Sequence, residues 1–214
     1  MTGVQWTVVI PVKALPGAKS RLLAATADRA AHHRLVQAIR EDTLAAARAA
    51  SDVARVVLVA DRPGALSGAG VSIVQSAPGL NPALREAAGY AAARWPADGV
   101  AALVGDLPAL RPEELTAALR AAAAHQRSYV ADADATGTTL LAALPGHPLR
   151  PRFGAGSAAR HAVDAVALCA GPGLRRDVDT AADLRSAASA GLGPATSAAL
   201  AASIETPAVH LDPA

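Results

Sequence analysis

TVVIPV (Thr7–Val12) is an almost unbroken run of β-branched residues, and KALPGAKSRL (Lys13–Leu22) follows it at once. Such a run suits a strand buried on both faces, as parallel sheets require, and the proline and glycine after it end the strand in a loop. The same pattern returns in RVVLVA (Arg55–Ala60), at Val71–Gln75 and in VAALV (Val100–Val104). Helical stretches lie between and after these runs, at Thr26–Ala50 with Leu35, Val36, Ile39 and Thr43 on one face, at Pro82–Trp95 and at Pro112–Ala124. Thr26 is placed to cap the first, and Pro112 with Glu113 and Glu114 suits the first turn of the third. Strands alternating with helices imply parallel crossovers and an α/β fold.

After Ser128 the order changes. Tyr129–Asp132 and Thr138–Leu144 read as strands, a loop holding Pro145, Pro148 and Pro151 follows, and Arg175–Asp179 reads as extended before a capped helix at Thr180. The expectation is a mixed, mostly parallel sheet in one domain over 1–202, with a polar tail at 203–214.

Composition narrows the function. The 214 residues are 52% hydrophobic but only 2% aromatic, which leaves no platform for stacking bases. The net charge is +2 and the basic residues are dispersed, so a nucleic-acid partner is not expected. The lone Cys169 excludes an intramolecular disulfide and a multi-cysteine zinc site. No leader and no run of about eighteen apolar residues stands out, which makes a cytoplasmic protein without a membrane partner the expectation.

In open α/β sheets ligands bind beyond the carboxyl ends of the strands, so the residues just after each apolar run matter most. Lys13, Lys19 and Arg21 follow the first run; Lys13 and Lys19 are the only lysines, against eighteen arginines. Asp61 follows the second run, Asp106 in VGDLPAL the fourth, and Asp132 and Asp134 lie near the fifth. In LRRDVDTAADL, Asp177 and Asp179 are two apart, so an extended backbone sends both carboxylates to one side. Paired carboxylates repel unless a cation lies between them, and an oxygen-only set selects a hard ion such as Mg²⁺. The alternative is that Asp179 and Thr180 cap the next helix.

Three other signals fail their own requirements. GAKS (Gly17–Ser20) lacks the glycine directly before lysine that a P-loop needs, and GAG (Gly68–Gly70) precedes a strand where a dinucleotide fingerprint follows one. Ser157, His161 and Asp164 suggest a triad, but no nucleophile elbow surrounds the serine. FGAGSAARH (Phe153–His161) reads better as a glycine-flanked loop entering a helix, with free N–H groups toward an anion at Gly154 and Ser157. TGT (Thr136–Thr138) offers hydroxyls nearby, or is a plain turn.

IPVKALPGAKSRL, GLNPAL, VGDLPAL, TGT, FGAGS with His161, and DVDTAADL occur in an order and spacing that resemble the guanylyltransferases of coenzyme F420 biosynthesis, over nearly the whole chain. The resemblance implies a nucleotide-diphosphosugar-transferase-like three-layer α/β sandwich, use of GTP and Mg²⁺, and release of pyrophosphate. It implies metal binding by Asp106, Asp177 and Asp179, and an acceptor held by Thr138, Gly154 and Ser157. Lys13, Lys19 and Arg21 would embrace the GTP phosphates as the catalytic cations, with Asn81 on the nucleotide side. The acceptor is expected to be phosphoenolpyruvate, with 2-phospho-L-lactate and 3-phosphoglycerate as alternatives. A molybdopterin or cytidylyl transferase and a non-catalytic GTP-binding module are the other readings. The partners are these small molecules, and a homodimer is compatible. The chain departs from many members at Ala133 and Ala135, where arginine and glycine are common, and from archaeal members at Thr139.

Overall fold

The computed structural model describes residues 3–12, 19–26, 28–62 and 71–204. Lys13, the Gly68–Gly70 segment and the tail beyond Ile204 lie outside the described residues. The β-branched runs form β1 (Trp6–Val12), β2 (Val53–Ala60), β3 (Val71–Val74) and β4 (Gly99–Leu103), all parallel, with β1 between β2 and β4. β5 (Arg127–Ala131) and β6 (Thr138–Ala143) pair antiparallel, β6 also runs antiparallel to β4, and the two-residue β7 (Val166–Ala167) lies parallel to β5. The order β3-β2-β1-β4-β6-β5-β7 is a mixed, mostly parallel seven-stranded sheet. The chain moves outward from β1 to β3 and then returns to the other side of β1 with β4. That reversal opens a crevice at the carboxyl ends of β1 and β4, the place where such sheets bind ligands.

Helices cover both faces. α1 (Arg29–Ala49) and α3 (Pro112–Ala122) pack with α5 (Pro172–Arg175) over Val8, Ile10, Leu58, Leu103 and Leu140. α2 (Leu80–Arg94) and the short α4 (Ser157–His161) cover Val9, Val57, Ala102 and Leu141 on the opposite face. Many of these contacts are alanine against β-branched residues, so helices and sheet approach closely with little aromatic filling. Gly99 shows how tight the fit is, because a Cβ there would collide with the buried Trp6 ring. α6 (Ala181–Ala190) and α7 (Pro194–Ile204) add a third cluster, in which Leu22, Leu35, Ile39, Val178 and Leu184 meet.

Three local expectations change. α1 begins at Arg29 and is capped by Asp28, whose Oδ1 accepts from the Ala31 N–H at 2.7 Å. Thr26 instead closes a 3-10 turn (Ser20–Ala25), its hydroxyl donating to the Leu23 carbonyl. Arg175 belongs to α5 and not to an extended segment, since Pro172 at the first helical position starts a turn that Glu114 secures through the Gly173 N–H at 3.1 Å. Ser203, expected at the start of the tail, is in the last turn of α7.

Candidate active site

Asp106 follows β4 directly, and its loop is fixed from two sides. The buried Thr43 hydroxyl of α1 accepts the Leu107 N–H at 2.9 Å, and the Asp106 carbonyl accepts the Val178 N–H at 3.1 Å. Val178 is fully buried in the third cluster, which anchors the backbone between Asp177 and Asp179 and leaves their carboxylates at the rim. Thr180 caps α6 in a reciprocal pair with Asp183, so Asp179 is not the cap and its carboxylate is free for other work.

What Asp179 meets is Lys19. The Lys19 ammonium lies 2.5 Å from Asp106 Oδ2 and 2.7 Å from Asp179 Oδ1, joining residues far apart in the chain. Lys19 holds a left-handed backbone, φ 51°, a conformation that costs an ordinary residue about 1 kcal/mol. Burial alone would lower its pKa, but Asp106 and then Asp179 outweigh that and raise it. Asp177 receives no such help. Burial first, then the charges of Asp106 and Asp179, push its carboxyl up to about 7. The other oxygen of Asp106, Oδ1, is buried without a hydrogen-bond partner among the described residues. Arg21 lies exposed on the 3-10 turn.

Among the described residues, no three His, Cys, Asp or Glu side chains are gathered into a finished metal cage. The three aspartates nevertheless share one rim, interact electrostatically, and are bridged in part by an ammonium. An orphaned buried oxygen, a carboxyl whose proton affinity is raised by burial and by neighbouring carboxylates, and an all-oxygen donor set fit a hard cation.

The second half of the site begins at Asp132, just after β5. Its two carboxylate oxygens accept the Thr136 and Gly137 N–H groups at 2.9 and 2.7 Å, folding DADATGT into a closed turn. A Cβ on Gly137 would strike that carboxylate. Arg175 grips the same turn, donating to the carbonyls of Ala131, Asp132 and Ala133. The turn delivers Thr138 to β6, where its hydroxyl lies 2.9 Å from His161 Nδ1 and 3.2 Å from Ser157 Oγ. Thr139 alternates to the other side, 3.5 Å from the Val130 carbonyl, so its departure from archaeal members does not enter this cluster.

The expected row of free N–H groups at FGAGS is not what forms. The Ser157 N–H donates to the Gly154 carbonyl and the Ala158 N–H to the Thr136 carbonyl, at 3.0 and 3.1 Å. The loop turns back on itself, with Gly154 at φ 117° and Gly156 at φ 69°, and α4 is only five residues long. Arg160 locks it by donating to the carbonyls of Arg152 and Ala155. Asn81, expected on the nucleotide side, exchanges two hydrogen bonds with the Phe153 backbone, at 2.7 and 3.1 Å, and so ties α2 to this loop. The triad is excluded by the same geometry: His161 bonds Thr138, and Asp164 pairs with Arg150 at 3.1 Å. Sequence reasoning missed Arg175, Arg160 and Thr43. All three act on backbone groups, and a residue type alone carries no signal for that.

A cationic loop facing carboxylates across the sheet's reversal point, with a hydroxyl-lined turn beside it, defines a nucleotidyltransferase. The fold agrees: a crystal structure described as a nucleotide-diphospho-sugar transferase from Desulfovibrio desulfuricans G20 is similar with a TM-score of 0.66, over 85% of either chain at 16% identity. A Mycobacterium tuberculosis H37Rv protein crystallised with manganese is similar at a TM-score of 0.50 and 20% identity, over 87% of this chain and 98% of that one. No protein-family model matches the sequence. Two proteins named phosphoenolpyruvate guanylyltransferase, from Streptomyces scabiei and Geodermatophilus obscurus, are 50% and 51% identical over 92% and 91% of this chain and 96% and 94% of their own length. The chain belongs to this family of guanylyltransferases.

Proposed function

We propose that the protein transfers GMP from GTP to the phosphate of phosphoenolpyruvate, giving enolpyruvyl-diphospho-5'-guanosine and pyrophosphate. The observation that carries this reading is Lys19 lodged between Asp106 and Asp179 beside Asp177, whose carboxyl is pushed up to about 7, at the crevice between β1 and β4. It is a polar centre with more carboxylate than the Lys19 ammonium satisfies.

An acceptor phosphate oxygen attacks the α-phosphorus of GTP. The new P–O bond forms as the bond from the α-phosphorus to the bridging β-oxygen breaks, and pyrophosphate leaves with the electron pair. The attacking oxygen is already anionic near neutral pH, so no general base is required. The obstacle is bringing two polyanions together: like unit charges 4 Å apart repel by about 1 kcal/mol in water and ~4 kcal/mol at an effective dielectric near 20. Lys13, Lys19 and Arg21 counter that repulsion as the catalytic cations on the phosphates. Asp106, Asp177 and Asp179 would hold a divalent ion, Mg²⁺ in our reading, which when bound neutralises triphosphate charge and eases departure of pyrophosphate. The fold neighbour crystallised with manganese is consistent with that. Thr138, Gly154 and Ser157 form the acceptor side, and Asn81 supports them by holding the Phe153 backbone. All substrates are small and water-soluble, and no helix among the described residues is long and apolar enough to cross a membrane; the cytoplasm suits such a reaction.

The test is pyrophosphate release from GTP and Mg²⁺ with phosphoenolpyruvate, 2-phospho-L-lactate or 3-phosphoglycerate, and from CTP in parallel. Release that requires GTP and is fastest with phosphoenolpyruvate is expected. Equal or faster release with another acid or with CTP would replace the assignment, and GTP binding without release would remove the catalytic reading.

A further inference from the structure

His161 is a buried histidine, 1% exposed, with a partner on each ring nitrogen. Nε2 lies 2.9 Å from the Arg152 backbone nitrogen, and a peptide N–H can only donate, so Nε2 accepts and carries no proton. The ring cannot take up a second proton without breaking that bond. The neutral imidazole therefore keeps its proton on Nδ1 and donates it to the Thr138 hydroxyl at 2.9 Å. Edge-on contact with the Phe153 ring, centroids 5.2 Å apart, and the tilted Tyr129 ring at 6.1 Å fix the imidazole plane.

The tautomer has a consequence that can be counted in protons. Thr138 and Ser157 bring two hydroxyl protons to their shared 3.2 Å bond, which consumes one. Because His161 donates into Thr138, the second proton stays free. With the opposite tautomer, Thr138 would have to donate into the ring and Ser157 into Thr138, and none would remain. With Ser157 donating, Thr138 Oγ1 accepts twice and has its own proton to give. Thr138 is also the more exposed of the two, at 6% against 1%. Since the Ser157 and Ala158 N–H groups are already used by carbonyls, a hydroxyl donor is what this turn can offer an anion.

We propose that His161 is a positioning residue for the acceptor: locked as its Nδ1–H form by the Arg152 peptide, it turns the Thr138–Ser157 pair into a hydrogen-bond donor aimed at the anionic groups of the phosphorylated acid. This rests on the acceptor assignment given above. His161 touches no substrate itself; it decides which way a hydroxyl points.

The experiment combines kinetics of the full chain with ¹⁵N-histidine NMR. His161→Leu removes the donor, His161→Asn keeps an amide N–H near the place of Nδ1, and Thr138→Val removes the hydroxyl that His161 serves. The expected results are an Nδ1–H signature at neutral pH, a KM for phosphoenolpyruvate raised about tenfold or more in His161→Leu with the KM for GTP unchanged, and recovery of most of that loss in His161→Asn. The double variant Thr138→Val/His161→Leu should be no worse than Thr138→Val alone. An Nε2–H ring, additive losses in the double variant, or equal changes in both KM values would overturn the proposal and leave His161 a packing residue. The tautomer is read without turnover. A protein with the Nδ1–H ring that ignores phosphoenolpyruvate would retire the acceptor assignment alone, whereas normal turnover with an Nε2–H ring would retire the role of His161 alone.

Discussion

Lys19, Asp106, Asp177 and Asp179 are ionisable, partly open to solvent and leave one buried carboxylate oxygen unpaired, whereas Thr138, Ser157 and His161 are neutral, buried and hydrogen-bonded to one another. The first group sits on a loop and a helix approach at the mouth of the crevice; the second sits on a strand and a turn clamped by Arg175, Arg160 and Asn81. An ion-pair cluster with an unsatisfied oxygen has room for a further partner. The hydroxyl–imidazole network is built in advance, with its internal hydrogen bonds already made and one hydroxyl proton left to give. On the proposed function the difference would match the two substrates: a nucleotide end must rearrange as pyrophosphate leaves, while an acceptor end needs only to hold a small acid still. Asp132 connects them, shaping the turn before Thr138 while adding slightly to the field that raises the Asp177 pKa.

The largest effect should come from breaking the charged side. Asp177→Asn is expected to lower turnover by about a hundredfold or more at saturating Mg²⁺, the scale seen when a group that neutralises transition-state charge is lost. In metal-free protein above pH 7 the same change should raise the melting temperature. Folded Asp177 keeps a proton up to about pH 7 that the unfolded chain releases near 4. Across that window stability therefore falls as pH rises, and asparagine removes the penalty. Turnover unchanged in Asp177→Asn would mean that the rim does not hold the cation.

Lys19→Arg comes next. It preserves charge but puts a flat fork where a compact ammonium lies between two carboxylates, and turnover should fall about tenfold with a higher KM for GTP. Lys19→Ala should cost more, and should also destabilise the metal-free fold by about 1–3 kcal/mol, because Asp106 loses the partner of its one satisfied oxygen. A silent Lys19→Arg would reduce the lysine to a counterion.

The pH response of the neutral side should have the opposite sign. Burial, then Arg152 and Arg160, push the His161 imidazole down to about 4, with Asp164 opposing them. The unfolded chain binds this proton already near pH 6.5, so the contribution is complete above that value and is lost as pH falls toward 4, by up to about 1.4 kcal/mol per pH unit. Urea midpoints from pH 7 to 4.5 should fall more steeply for the wild type than for His161→Asn. Parallel slopes would place the imidazole in contact with water.

How much of this was legible in the sequence follows from the kind of interaction. The parallel strands were readable because continuous β-branched runs have few other places to go, and the reversal after Ser128 because its apolar runs pair without an intervening helix. That Asp106, Asp177 and Asp179 come together at one rim was readable because they follow apolar runs or alternate along an extended segment. The start of α1 was not, since Thr26 and Asp28 are both good caps and only the 3-10 turn around Leu22, packed on Leu35 and Val178, decides between them. Nor were the free N–H groups once expected at Ser157: whether a turn closes on its own carbonyls depends on Gly154 and Gly156 taking positive φ, which their identity permits but does not require.

Ala135 supplies the smallest and most local test. It occupies φ 59°, a left-handed conformation that glycine reaches freely and alanine at a cost of about 1–2 kcal/mol. The turn imposes it, because the Asp132 carbonyl accepts the Ala135 N–H at 3.2 Å while the Asp132 carboxylate draws in the next two N–H groups. Replacing Ala135 by glycine relieves the strain but makes the unfolded chain freer, so the net gain should be about 0.5–1 kcal/mol. If the acceptor side is prebuilt, that gain should appear as a higher urea midpoint with the KM for phosphoenolpyruvate unchanged within about twofold. A fall in affinity would instead mean that the strained alanine holds Thr138 in place, and that the neutral half of the site, like the charged half, depends on stored tension.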